Sequence, residues 1–514
     1  MGGKILPAIF LAFGGAYVLF SVLIGSGNTI GSLAFYLCVS SVVLALLNPR
    51  PMLYWLVILA GYSDLMKRTM ILDDRVTLQD VMWVRALCPL TLAGIVAGTI
   101  LRGLTKENAL LGKRQLACLA LACAGFSVSA VSAMRGSGIN EGMQQLADGA
   151  SYIFMLFIVA AHFQTAEGLV RFVKYCLFVF IPVPTYGMKQ QFFGLSDFEI
   201  EYLRSGLTIL SKHLLDVRPR PFSTLTDCSP YGTTCALLAC FALMVWGYYK
   251  NTGERTWRVI PLMLWALYVA GCVTSMSRMS NANWLLPILL LPFFSSRAGT
   301  GLVYGALAGG FAFACLFAME IKSMIERATL RALDAFGNNA IGEQFARFWT
   351  LGDRLDGMNQ LATNPKMWTM FGYGPQLTKE MMLAGEVHSH DTVTTMLLEL
   401  GWVPCLALVV VLALILAKIH RAIFEIRGTP EFGLCVWLVA SVVGLLFHNI
   451  FAGGVTSTFP VNFFFWFMIG GVVAAIGSAW REPAEVPAPA PLPHSPFPRP
   501  MLPPRFHPAM ARRS

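Results

Sequence analysis

Residues Trp402-Val403-Pro404-Cys405-Leu406-Ala407-Leu408-Val409-Val410-Val411-Leu412-Ala413-Leu414-Ile415-Leu416-Ala417 run without one charged side chain until Lys418. A helix that is apolar around its whole circumference must be covered on all sides, either by a large core or by lipid. One such run does not decide between them. The runs recur, however, near residues 5–25, 28–47, 52–65, 82–101, 114–133, 146–163, 170–190, 229–249, 258–275, 281–296, 302–319, 393–417, 433–451 and 459–479. A bilayer core needs roughly 20 apolar residues per helical crossing, so the pattern predicts about fourteen crossings. The run at 52–65 is short, and that at 281–296 is interrupted by Pro287 and Pro292, which widens the expectation to about 12–14 spans.

Composition agrees. The chain has 514 residues, 56% hydrophobic and 13% charged, with a mean hydropathy of +0.62. Soluble domains carry about 25% charged residues, so there is too little charge to cover a water-facing surface. In hydrocarbon the backbone must bond to itself, and the runs lack the two-residue alternation of a barrel, so helices are expected. The fold class predicted is all-α: a polytopic transmembrane helical bundle with a large outward-facing loop. The run at 5–25 is longer than a signal-peptide core and another span follows at once, so it reads as a retained anchor.

The net charge of +10 does not suggest nucleic acid. Its basic residues sit in short clusters between apolar runs and form no stripe interleaved with aromatics. The 12 cysteines lie in or beside apolar runs with no CxxC pair, and read as small hydrophobes between helices. Neither a metal nor another cofactor is expected.

Sidedness follows from the short loops. Lys106, Lys113 and Arg114 fall on one side with Lys250, Arg255, Arg258, Arg297, Lys418, Arg421 and Arg427, and with Arg481, Arg512 and Arg513 of the tail. The positive-inside rule makes that side cytoplasmic, with both termini inside. Loops 191–228 and 320–392 then face outward, into the periplasm if the cell is Gram-negative. Residues 1–480 form the membrane domain; residues 481–514, rich in Pro and Ala, read as a disordered cytoplasmic tail.

The outward segments carry the candidate chemistry. Arg218 and Arg220, in Arg218-Pro219-Arg220-Pro221-Phe222-Ser223-Thr224, read either as interfacial arginines snorkelling to headgroups or as a Pro-held fork for a phosphate. Arg278, in Thr274-Ser275-Met276-Ser277-Arg278-Met279-Ser280, sits between two apolar runs and needs an anionic partner or water. Ile321 to Phe336 reads as an amphipathic helix with Arg327 and Arg331 on its polar face, lying on the bilayer surface. Arg347 and Arg354 follow, then Phe371-Gly372-Tyr373-Gly374-Pro375, a turn whose glycines permit close backbone approach rather than a dinucleotide fingerprint. His388-Ser389-His390-Asp391 leads into Thr392 to Gly401. Two histidines without further ligands make a poor metal site, whereas one could serve as a general base. Glu399 reads as a buried hydrogen-bonded carboxyl more readily than as a catalytic one.

The order of these motifs resembles the O-antigen ligase and polymerase superfamily, which includes Wzy-type polysaccharide polymerases and WaaL-type ligases. His390-Asp391 through Glu399 and Gly401 is similar to the family's His-Asn-x-x-Leu-x-x-Leu-x-Glu-x-Gly. Arg354 followed by Phe371-Gly372-Tyr373-Gly374 resembles its loop Arg and Gly-x-Gly, Ser277-Arg278 its Ser-Arg-Gly, and Arg220 to Thr224 its Arg-x-x-Gly-Thr. The likeness covers residues 215–480 in motif order. Asp391 stands where the pattern has Asn, Ser223 and Met279 where it has Gly.

The resemblance implies a metal-independent glycosyltransferase with a polyprenyl-diphosphate-linked glycan as donor and a glycan as acceptor. A chain-length regulator is a further candidate partner, beside membrane lipid. By the same implication Arg278 and Arg220, with Arg218, would hold the departing diphosphate, and His390 would position or deprotonate the acceptor hydroxyl. Arg354 would hold glycan or phosphate; Gly372, Gly374, His388, Asp391 and Glu399 would complete the substrate site. The polymerase reading, at the inner membrane of a bacterium with the site on the outer face, is preferred to a ligase acting on lipid A core or a protein. A lipid-linked glycan flippase is the third reading, weakened by the lack of repeat symmetry.

Overall fold

The computed structural model describes residues 29–71, 77–105, 111–204, 220–250, 256–336, 349–387, 392–452 and 458–480. The expected first span at 5–25 and the tail at 481–514 lie outside them. Among the described residues every regular element is a helix and no strand occurs. In chain order the α-helices are α1 (Thr29–Leu47), α2 (Pro49–Ile71), α3 (Leu78–Leu104), α4 (Lys113–Asp148), α5 (Met155–His162), α6 (Ala166–Val179), α7 (Pro182–Phe193) and α8 (Asp197–Arg204). Then follow α9 (Cys228–Tyr249), α10 (Thr256–Thr274), α11 (Arg278–Phe294), α12 (Arg297–Leu316), α13 (Ala318–Phe336) and α14 (Trp349–Thr363). The last five are α15 (Pro375–Leu383), α16 (Thr392–Leu400), α17 (Trp402–Glu425), α18 (Pro430–Ala452) and α19 (Val461–Ala479).

Among the described residues, 7 helices are long and apolar enough to cross a membrane: Asp80–Leu104, Lys113–Met134, Cys228–Tyr249, Thr256–Thr274, Trp402–Glu425, Pro430–Phe447 and Val461–Ala479. The count reaches 8 if Arg297–Phe313 and Ala318–Arg331, bent by 83°, form one broken span. Shorter apolar helices cover Gly31–Leu47, Ala150–His162 and Met279–Phe294. The chain is thus a multi-pass helical membrane protein.

Several expected boundaries move, for local reasons. The run at 170–190 is two helices, because Pro182 lacks an N–H and starts α7 at its first turn. The run at 393–417 is divided at Gly401, whose φ of +88° ends α16 before α17 begins. Conversely, α11 continues through Pro287 and Pro292, with Gly444 of α18 leaving room for the Pro287 ring. Within α4 the chain doubles back. A Cβ on Gly142 would lie 3.2 Å from the Ala133 carbonyl, whereas nine residues of straight helix would separate them by about 13.5 Å. The expected amphipathic helix is present as α13, with Arg327 and Arg331 exposed.

Helix α9 is the centre, buried along nearly its whole length among α6, α10, α11, α18 and α19. Phe241 meets Phe464 and Phe467 edge to face at 5.7 and 5.8 Å. The periphery is the reverse: Leu406, Val409, Val410 and Leu414 of α17 are exposed, as is Leu302 of α12. Apolar surface on this scale is what lipid covers.

Contacts orient the bundle. Arg114, at the start of α4, lies 4.3 Å from the Trp480 ring at the end of α19, and Lys174 lies 3.4 Å from Trp257 at the start of α10. Tyr304 of α12 meets His420 of α17 at 2.6 Å. Lys113, Arg114, Lys250, Arg258, Arg297, Lys418 and Arg421 therefore gather at one basic end. The opposite end holds the C-termini of α2 and α10 and the N-termini of α9, α11 and α19.

Candidate functional site

Residues 220–227 cross this opposite end, and the chain is held there by buried polar groups. Ser223 is fully buried with φ +54°, a left-handed conformation that costs a side-chain-bearing residue roughly 1 kcal/mol or more. Its surroundings over-determine it. Its amide and that of Phe222 donate to Gln190 Oε1 at 2.6 and 3.0 Å, and its Oγ donates to the Val183 carbonyl at 2.5 Å. The next residue, Thr224, donates to the Gly61 carbonyl at 2.7 Å.

Arg68 is the central anchor. Its guanidinium is fully buried, donates to the Ser223 carbonyl at 2.7 Å and to the Leu225 carbonyl, and pairs with Asp64 at 2.8 Å. It also lies 4.4 Å from the centroid of the Phe222 ring. A buried arginine of this kind is tolerable because its charge and its donors are both matched. Behind it Gln190 donates to Glu199, a fully buried carboxyl that also accepts from Tyr186 at 3.0 Å and from Ser196 through Oγ at 2.6 Å and N at 2.8 Å. The result is a rigid polar bracket under the loop that begins at Arg220.

The guanidinium of Arg220 reaches the Cys228 thiol, at the first residue of α9. One turn further, Gly232 packs against the hydroxyls of Ser275 and Ser280, and Thr233 Oγ1 meets Ser280 Oγ at 3.3 Å. Those serines flank Arg278, the first residue of α11, which follows Met276 at φ +55°. Arg220 and the backbone of Arg278 thus share one end of the α9–α11 pair. Ser223 and Met276 are the two non-glycine residues with positive φ among the described residues, one in each arginine motif.

Two motifs that are separate in sequence form one unit. The Gly372-Tyr373-Gly374 turn seats on the C-terminus of α16: Tyr373 N donates to Leu398 O at 2.6 Å and Gly374 N to Glu399 O at 3.1 Å. A Cβ on Gly372 would come within 2.6 Å of Glu399 O, and one on Gly401 within 2.6 Å of Met370 O. Both glycines are required by backbone packing. Trp402 N completes the unit by donating to Thr369 O at 3.0 Å. Ser132, near the far end of the α4 apolar run, donates to Glu399 O at 3.4 Å, which brings the unit to the same end of the bundle. Glu399 lies outside the helices long enough to cross, and burial raises its carboxyl to about 7.

Arg218, His388, His390 and Asp391 lie outside the described residues, and for Arg278 and Arg354 the backbone is described, the latter on α14. Of the expected site residues, Arg220, Gly372, Gly374 and Glu399 are described in full. Arg68, Asp64, Gln190 and Glu199 were not expected. Their signal was Asp64-x-x-x-Arg68 at the end of an apolar run, one helical turn apart and thus on one face. Among the described residues no group of three His, Cys, Asp or Glu side chains is arranged to hold a metal ion.

The chain matches no family model, and no curated protein and no solved structure is detectably similar to it.

Proposed function

We propose that the chain is a membrane glycosyltransferase of the Wzy type, joining polyprenyl-diphosphate-linked oligosaccharide repeats into a surface or exopolysaccharide. The observation that carries this reading is the shared end of α9 and α11, where the braced Arg220 loop meets the start of α11 at Arg278. Breaking a sugar–phosphate bond leaves a diphosphate, and guanidinium groups held on a rigid support stabilise that charge as it develops. The Gly372–Gly401 unit at the same end of the bundle is the base from which residues 375–397 would reach the glycan. His390, within that stretch, would act on the acceptor hydroxyl. By the positive-inside rule the basic end would face the cytoplasm, which supports a reaction on the outer face of the inner membrane.

The test is mass spectrometry of polyprenyl-diphosphate glycans from a strain lacking the protein. Single repeats on the lipid, where the parent strain carries longer chains, are the expected result. Long chains accumulating on the lipid would instead assign the ligase role. Single repeats confined to the cytoplasmic face, with the outer face depleted of lipid-linked glycan, would instead assign transport.

A further inference from the structure

At the basic end, away from the site above, the start of α12 and the end of α17 border an open surface recess of about 470 Å³. Arg297, Thr300, His420, Arg421, Phe424 and Glu425 line it. Its floor is rigid: Tyr304 holds His420 Nε2 at 2.6 Å, and Phe294 stacks on the His420 ring with centroids 5.8 Å apart and planes inclined by 7°. Arg297 lies 5.7 Å from the Phe424 ring, and Glu425 sits 3.6 Å from Arg421 and offsets one of the two positive charges. The remaining positive charge is supplemented by the N-terminus of α12, a helix of 20 residues capped by Ser296. First-turn amides there point out of the helix, and its dipole favours an anion.

The recess continues into lipid-facing surface. Gly301, next to Thr300, is followed at helical spacing by Gly305 and Gly309, and a Cβ on any of the three would meet nothing within 4 Å. With Arg297 they recur every four residues, a smooth strip along α12, on which Leu302 and Phe313 are also exposed. We infer that this is a binding site for an anionic phospholipid of the leaflet at the basic end. Its phosphate diester sits between Arg297, Arg421 and the α12 N-terminus, and an acyl chain lies along the glycine strip. Two arginines suit a phosphate by paired donors, and basic pockets between helices on the cytoplasmic side recognise such headgroups. The charge and the strip are contiguous, which a soluble phosphate does not require. The inference is independent of the glycosyltransferase reading.

The experiment uses the full-length protein in neutral detergent, with phosphatidylglycerol, phosphatidylcholine and inorganic phosphate as probes, read by native mass spectrometry and thermal unfolding. Phosphatidylglycerol should remain bound and raise Tm, phosphatidylcholine should not, and inorganic phosphate alone should have no effect. An Arg297→Gln/Arg421→Gln double variant should weaken retention of phosphatidylglycerol at least about tenfold, whereas the Arg→Lys pair keeps part of it. Equal retention by parent and Gln variant overturns the site. Equal protection by inorganic phosphate assigns it to a soluble anion and overturns the lipid. Gly305→Leu should weaken lipid retention; if it instead converts a dimer to a monomer with retention unchanged, a second copy occupies the strip and the acyl assignment falls. Should the Gln variant not fold, photoactivatable phosphatidylglycerol on the parent protein decides: labels within 297–313 or 406–425 support the site, and labels confined elsewhere overturn it.

Discussion

Arg68 on α2 donates a 2.7 Å hydrogen bond to the carbonyl of Ser223, 155 residues later, and Ser223 is held at φ +54°. An interior charge near the end of one helix therefore fixes the backbone of the loop that presents Arg220. Replacing Arg68 by Ala strands two buried carbonyls and leaves Lys67 as the partner of Asp64. A loss of about 2–4 kcal/mol is expected, read as a lower Tm in detergent together with lost glycan transfer. Lys at this position keeps the charge and loses the fork, so it should recover stability only in part. A Tm unchanged by Arg68→Ala would show that the bracket does not hold the loop.

Ser223 tests the same loop from inside. Gly accepts positive φ without strain but gives up the Oγ bond to Val183 and adds freedom to the unfolded chain. These effects oppose, so Ser223→Gly should stay within about 1 kcal/mol of the parent and retain activity. Ser223→Val puts a β-branched residue in the same conformation and removes the hydrogen bond; it should lose several degrees of Tm and most activity.

At Gly372 and Gly401 the added methyl of alanine meets backbone, which cannot swing aside. Either substitution should cost about 1–3 kcal/mol and unseat the turn from the end of α16. Limited proteolysis between residues 364 and 391 should accelerate in both variants, while the rest of the bundle keeps its protection.

Glu399 supplies a pH signature. Burial lifts its carboxyl from 4.5 to about 7, so between those values the folded protein holds a proton that the unfolded chain has lost. That contribution to stability is present below pH 4.5 and fades as pH rises through 7. Tm should therefore fall across this window, and Glu399→Gln should flatten the fall. A slope equal in parent and variant would exclude Glu399 as its source.

For the chemistry itself, Arg278→Ala and His390→Ala should each abolish transfer while leaving insertion and Tm close to the parent. A fully active His390→Ala protein would remove that histidine from the mechanism.

Much of the fold was legible because lipid imposes a coarse constraint: a long apolar run must be helical, as at Cys228–Tyr249 and Val461–Ala479. Where runs broke was less legible. Pro182 starts a helix, whereas Pro287 sits inside one, with Gly444 of α18 leaving room for its ring. The candidate site was legible by residue type, because Arg and Gly stand out in an apolar chain. That the glycines of the turn admit close backbone approach was legible too; which backbone approaches them was not. Gly372 and Gly401 touch across a chain reversal that no local pattern encodes, and Asp64 ends an apolar run that Arg68 lies just past.

The bonds from Tyr373 to Leu398 and from Gly374 to Glu399 close a ring of chain at its base. Closing a loop costs entropy that grows only slowly with its length, about 0.6 kcal/mol for each doubling. At an exposed turn such as that of Gly385, the stretch between the two ends can therefore change length while the helices on either side keep their register. Insertions after Gly385 should be tolerated where single-residue insertions at 371–374 or 398–401 are not. In this architecture the clasp sets the register, and the exposed turn it encloses is where length can vary.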